Sequence, residues 1–160
     1  MLLTWVKTVF DLFLEYENKW TIVLGLTSNK GAKDFELQRL FKSENNKEVA
    51  GLFLYEKVID TVSKWGTADN LMFVTGATQA SELENIRKII PDSFLLVPGV
   101  GFQGGSLEEV SKYGMTKNCG LLVNASRAVI YAGDGESFAE EAANIAQQYQ
   151  TEMKKYLLDN

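Results

Sequence analysis

The stretch Leu96-Val97-Pro98-Gly99-Val100-Gly101-Phe102-Gln103-Gly104-Gly105-Ser106 constrains this chain more than any other. A short apolar run enters Pro98, four glycines crowd a turn, and Ser106 with Glu109 three residues later forms a capping box that opens a helix. The order is strand, glycine-rich loop, helix N-terminus. Glycines let backbone N–H groups approach an anion closely, and a helix start adds partial positive charge, so the stretch favours a phosphate.

The same alternation recurs along the chain. Thr21–Thr27, Leu71–Thr75, Phe94–Val97 and Gly120–Asn124 are near-continuous apolar runs of strand length, the pattern of parallel strands covered on both faces. Helical spacing follows them: Tyr55, Val58, Ile59, Val62 and Trp65 up to Gly66; Leu83, Ile86 and Ile90 up to Pro91; Leu107 to Tyr113; and a long last helix. That last helix is opened by Ser137 and Glu140 and lined by Phe138, Ala142, Ile145, Ala146, Tyr149, Met153, Tyr156 and Leu157. Gly31 to Asn46 is mixed and charged, with one short helix expected around Phe35 to Phe41. The amino end, Met1 to Leu14, carries Leu2, Val6, Val9, Phe10, Phe13 and Leu14 at helical spacing against Lys7, Thr8, Asp11 and Glu15. It reads as an amphipathic helix packed on the core. An export signal is excluded by Lys7 and Asp11 within the apolar run, and membrane-surface attachment is disfavoured by the lack of a basic polar face.

Composition narrows the functional classes. The 160 residues suit one domain. A net charge of −5 without clustered Lys and Arg argues against a nucleic-acid partner. Cys119 is the only cysteine and histidine is absent, which excludes a disulfide framework, the usual zinc sites and serine–histidine catalysis. A reducing, cytoplasmic setting, no membrane partner and no cofactor are expected.

Strands alternating with helices admit two parallel architectures. One is a doubly wound sheet, for which Gly99-x-Gly101-x-x-Gly104 fits a dinucleotide fingerprint. That motif follows the third strand rather than the first, however, and Asn124 stands where an acid is required. The other is a (β/α)₈ barrel, whose phosphate sites are commonly built by the loops after its last two strands. With the glycine loop after the third strand and Ser126-Arg127 after the fourth, these four strands would be its second half.

Four ordered motifs bear on the choice: Thr27-Ser28-Asn29, Gly76-Ala77-Thr78, Pro98 to Gly105, and Asn124-Ala125-Ser126-Arg127-Ala128-Val129-Ile130-Tyr131-Ala132. Together they resemble the bacterial branch of the orotidine 5′-phosphate decarboxylase family, over about Tyr16 to Leu158. The resemblance implies strands 5 to 8 of a TIM barrel as residues 16–160, a half-barrel phosphate- and pyrimidine-binding domain preceded by a non-family helix over residues 1–15. It also implies decarboxylation of orotidine 5′-phosphate to uridine 5′-phosphate in pyrimidine synthesis. Carried over residue by residue, Ser28 would hydrogen-bond the pyrimidine, Gln103 would bridge phosphate and pyrimidine, and Arg127 would pair with the phosphate, helped by N–H groups near Gly101 and Ser126. The types suit the roles, since Arg is a planar fork for phosphate oxygens and Gln offers donor and acceptor. Against them stand a surface cation for Arg127, a turn residue for Ser28 and a solvated loop residue for Gln103.

One departure is decisive for chemistry. The family's Asp-x-Lys-x-x-Asp array, which presses charge on the substrate carboxylate and protonates the carbon left behind, occurs nowhere in this chain. No catalytic residue is assigned, and the chain alone is expected not to decarboxylate, because remote phosphate binding can assist only a reacting centre that is present. Two further readings remain: a non-catalytic nucleotide-phosphate binding module of the same fold, and, more distantly, a nicotinamide-dependent oxidoreductase. The codons permitted by Met1 to Phe10, shifted by one frame, spell Ala-Pro-Tyr-Met-Gly-Lys-Asp-Ser-Val, which resembles the family's segment after its fourth strand. A frame slip is therefore expected, and the DNA around these codons decides it. Four parallel strands leave two unpaired edges and apolar surface, so the chain is expected to form a homo-oligomer, to rearrange or to aggregate, with the first helix covering one edge.

Overall fold

A computed structural model describes residues 2–44, 47–101 and 103–159. The chain opens with α1 (Leu2–Leu14) and β1 (Thr21–Leu26), followed by β2 (Arg39–Glu44), β3 (Lys47–Phe53) and α2 (Leu54–Val62). Then come β4 (Leu71–Thr75), α3 (Ala80–Ile89), β5 (Leu95–Pro98), α4 (Leu107–Gly114), β6 (Leu121–Asn124), α5 (Ser126–Ile130) and α6 (Phe138–Asp159).

Strands β1, β4, β5 and β6 form one parallel sheet in that spatial order. The order decides between the two architectures. Right-handed crossovers that always step the same way along a sheet put every helix on the same face, whereas a doubly wound sheet reverses direction and covers both faces. This chain never reverses, so its sheet is half of a (β/α)₈ barrel laid open.

Side chains divide accordingly. On the helix side lie Val23, Phe73, Leu95, Val97 and Leu121, packed with Ile59 and Val62 of α2, Leu83 and Ile86 of α3, and Leu107 and Val110 of α4. Gly25 serves this contact. A Cβ there would press at 3.1 Å on both Ile59 Cδ1 and the Val74 carbonyl oxygen, so the missing side chain lets α2 lie close on the strand. The pairing register also shifts at this point, between Leu24 and Leu26. The opposite face presents Leu24, Val74, Leu96 and Leu122 in one cross-strand row set by the register, with Ile22 beside Met72 in the next row.

Arg87 binds the helical layer together. From α3 it donates through Nε to the Gly114 carbonyl (2.7 Å), through Nη1 to Ser93 (2.6 Å) and through Nη2 to Gly120 (2.8 Å). It thereby satisfies the end of α4 and the approach to β6 with one planar group. Burial lowers its pKa to about 10.

Three expectations need correction. Phe35 to Phe41 is not a helix: a 3₁₀ turn spans Lys30–Asp34, and Arg39 begins an antiparallel hairpin in which β2 pairs with β3. Phe35, Leu37, Leu40 and Phe41 mimic helical spacing, but the segment is held in a separate two-stranded hairpin by Arg39, which stacks 4.1 Å from the Phe53 ring centroid and donates to the Gly51 carbonyl. Asn45 and Asn46, the end of that expected segment Gly31 to Asn46, lie outside the described residues.

Helix α1 also packs differently from its pattern. Phe10 meets Trp65 edge to face at 5.5 Å and Leu14 reaches Gly66, but Lys7 and Asp11 share this inward side while Val6, Val9, Leu12 and Phe13 face outward. The 2.6 Å ion pair between Lys7 and Asp11 makes the polar face tolerable there. On α6, the row Ala142, Ile145, Tyr149, Met153 and Tyr156 turns inward, whereas Phe138, Ala146 and Leu157 are exposed. Its Ser137 cap bonds Glu141 rather than Glu140, at 2.6 Å. Among the described residues, no helix is long and apolar enough to cross a membrane.

Candidate functional site

Every motif that stood out in the sequence ends at the same rim of the sheet, where the strands' carboxyl ends emerge. At the β1 end, Thr27 donates its N–H (2.7 Å) and its hydroxyl (3.1 Å) to the Glu36 carboxylate. The Gly76 N–H donates to the Leu26 carbonyl at 2.9 Å. A Cβ on Gly76 would collide with the Ser28 hydroxyl and backbone, so Ser28 is seated directly against the end of β4. One strand further, Gly105 lies so close to Ala77 that a side chain there would overlap it. The three loops are thus mortised together by glycines at close approaches.

Beyond this, the glycine loop folds on itself. Gly101 N–H donates to the Gly105 carbonyl (2.9 Å), Gly104 N–H to Gly101 (2.8 Å) and Gly105 N–H to Gly99 (3.2 Å). Gly99, Gly101 and Gly104 have φ of +94°, +78° and +87°, which side chains rarely tolerate. Tyr149 of α6 closes over Gly101, with its hydroxyl where a Cβ would stand.

Between this loop and the β6 end lies a cup of about 100 Å³, lined by Pro98, Gly99, Val100 and Gln103 on one side and Asn124, Ala125, Ser126 and Arg127 on the other. The Gln103 side-chain carbonyl folds back over Gly99. Asn124 shapes the facing wall: its Oδ1 accepts from the Ser126 hydroxyl at 2.7 Å and from the Ser126 N–H at 3.3 Å, fixing the turn into α5. Gly99 N–H, donating to the Asn124 carbonyl at 3.3 Å, ties the two walls together. With Arg127 as its cation, the cup suits an oxyanion. Its volume is below the roughly 300 Å³ at which whole small-molecule sites begin, so it is scaled to a phosphoryl group rather than a nucleotide.

Of the five residues singled out in the sequence, the structure gathers Gln103, Ser126 and Arg127 around the cup. Gly101 belongs to the same loop but does not line the cup, and its N–H is engaged with Gly105. Ser28 stands apart, two strands away on the same rim, a span of about 10 Å. The expected helix start at Ser106 is capped by its own hydroxyl, which accepts from Glu109 N–H at 3.2 Å, and α4 carries Glu108 and Glu109 in its first turn. The cup therefore lies at the β6 end and not at the start of α4. Asn124 stands in the motif that the sequence singled out but without an assigned role, and Glu36 and Tyr149 are contributors that the sequence did not mark. An Asn just before Ala-Ser-Arg is a turn signal that points to the first, while nothing local marks Glu36 or Tyr149.

No family model matches the chain. Curated relatives do. The orotidine 5′-phosphate decarboxylase of Christiangramia forsetii is 55% identical over 151 residues, which cover 94% of this chain and 52% of the relative. Among solved structures, Leishmania donovani UMP synthase superposes with a TM-score of 0.72 at 29% identity, over 90% of this chain and 30% of that one. Leishmania donovani OMP decarboxylase gives a TM-score of 0.68 at 27% identity, over 88% and 51%. The chain spans about half the length of the curated relatives it matches. Sequence identity at this level over nine-tenths of the chain, with TM-scores of 0.72 and 0.68 to solved structures, shows that the chain is homologous to the orotidine 5′-phosphate decarboxylases over about half of their length.

Proposed function

We propose that this chain is the phosphate- and pyrimidine-holding half of an orotidine 5′-phosphate decarboxylase, and that by itself it binds the nucleotide without turning it over. The observation that carries the reading is the cup joining Gln103 to Ser126 and Arg127, with Ser28 about 10 Å away along the rim. Arg127 would neutralise the 5′-phosphate, Gln103 would bridge phosphate and base edge, and Ser28 would hydrogen-bond the pyrimidine. The spacing supports this division, since a phosphate and a base lie at opposite ends of a nucleotide.

Orotidine 5′-phosphate and its product uridine 5′-phosphate share that phosphate and pyrimidine, so the site takes either. Decarboxylation also needs charge against the carboxylate and an acid for the vacated carbon, and Asp-x-Lys-x-x-Asp is absent here. Calorimetric titration with uridine 5′-phosphate tests the binding half of the proposal. Arg127→Ala is expected to weaken binding about tenfold or more, as loss of a charged hydrogen-bonding partner does. A folded chain that binds nothing refutes it. Incubation with orotidine 5′-phosphate tests the other half: turnover above a no-protein control would overturn the inactivity.

A further inference from the structure

We infer that two copies of this chain close into an eight-stranded barrel about a two-fold axis, each copy's α1 filling a groove on the other. Three independent features fit one operation. Among the described residues the sheet has unpaired edges at β1 and at β6, and a barrel of this architecture closes at eight strands. Its helix-free face is apolar, with Ile22, Leu24 and Leu122 about half exposed. Beside the β6 edge an apolar groove of about 640 Å³ runs between β6 and α6, walled by Leu121 and Val123 on one side and Ala146, Met153 and Leu157 on the other.

The occupant of the groove follows from connectivity. In a (β/α) barrel the helix preceding a strand packs outside the gap between that strand and its predecessor. Joining one copy's β6 to the other's β1 therefore brings the second copy's α1 to this groove. That helix has the matching surface, because Val6, Val9, Leu12 and Phe13 point away from their own chain. Charge agrees as well: Lys154 stands at the groove and Glu15 at the end of the α1 stripe. Two-fold symmetry repeats the contact at the other seam, so both edges, both open faces and both grooves are covered at once, with no strand left to propagate a fibre.

Sedimentation equilibrium of the purified chain is the direct test, with a species of twice 17.9 kDa expected. Val9→Glu on the exposed stripe and Leu122→Glu on the open face should each raise the dimer dissociation constant at least about tenfold, since each buries a charge at the seam. Circular dichroism confirms that the variants stay folded. Cys119 lines the groove and is the chain's only cysteine, which provides a second readout. A short bis-maleimide reagent should link Val9→Cys of one copy to Cys119 of the other. Within a copy, α1 and the groove flank opposite edges of the sheet, about 14 Å apart across three strand spacings. A monomer at concentrations up to about 100 µM overturns the inference. So does a dimer that both charge variants leave intact, or a chain that pairs only with a separate polypeptide supplying the other four strands.

Discussion

The two faces of the sheet are built from the same residue types and meet opposite fates. On the helix side Phe73, Leu95 and Val97 are fully buried, while across the backbone Leu24 and Leu122 are 56% and 50% exposed. Apolar runs such as Ile22-Val23-Leu24 specify a strand that wants cover on both faces, and this chain supplies cover for one. Among the described residues the open face is covered at its amino end. There Trp20 and Phe94 meet edge to face at 6.2 Å, spanning β4 where Met72 is buried. Stability of the single chain therefore resides in the helix layer, and the bare face is available for association.

The sharpest way to break this contrast is to cut into the covered side. Phe73 is wholly buried in the middle of β4 with helices packed above it. Phe73→Ala is expected to cost about 3–5 kcal/mol in urea denaturation, through lost transfer energy and the cavity left behind. A loss under about 1 kcal/mol would mean that the helix layer is not the core of the fold.

A smaller effect probes whether that layer excludes water. Tyr55 of α2 is buried and donates its hydroxyl to Glu82 Oε2 at 2.6 Å. Burial first, then this hydrogen bond and the Glu82 charge, push its pKa far above the ordinary value of 10.0. The folded chain thus keeps a proton that the unfolded chain releases above pH 10, so stability falls as pH rises through that region. Tyr55→Phe should cost about 1 kcal/mol at neutral pH. Its deficit relative to the parent should shrink above pH 10, in paired denaturation curves, because the phenyl ring has no proton to lose. A constant deficit across that range would show that the hydroxyl is solvated.

The contrast also marks what could be read from the sequence. The four parallel strands and their helices were legible because each carries continuous apolar character or a clean 3.6-residue period: Leu83, Ile86 and Ile90 face inward as their spacing demands. The loop end was legible as well, since glycines before Ser106 and the Asn124–Arg127 motif leave few alternatives. The β2–β3 hairpin was not, because its pairing is between residues such as Arg39 and Phe53, whose contact depends on a register that no local period encodes. Nor was the outward turn of Val6, Val9 and Phe13, for an amphipathic pattern identifies an apolar stripe without saying which body it meets. Gln103 and Arg127 face each other across the cup only because β5 and β6 are neighbours, which is a property of strand order.

The smallest effect belongs to the bare face. Leu24→Ser removes an apolar side chain from a strand whose backbone bonds to β4 remain, at a position where solvent already reaches more than half of it. Measured at concentrations low enough for single chains, unfolding should shift by no more than about 0.5 kcal/mol. Raising the protein concentration should then separate parent from variant. In the closed barrel Leu24 lies inside, and there the same substitution places a hydroxyl among the leucines of both copies. Stability that gains from concentration in the parent and gains less in the variant is the signature of the bare face being covered by a second chain. Identical concentration dependence would assign association to some other surface and leave this face to water.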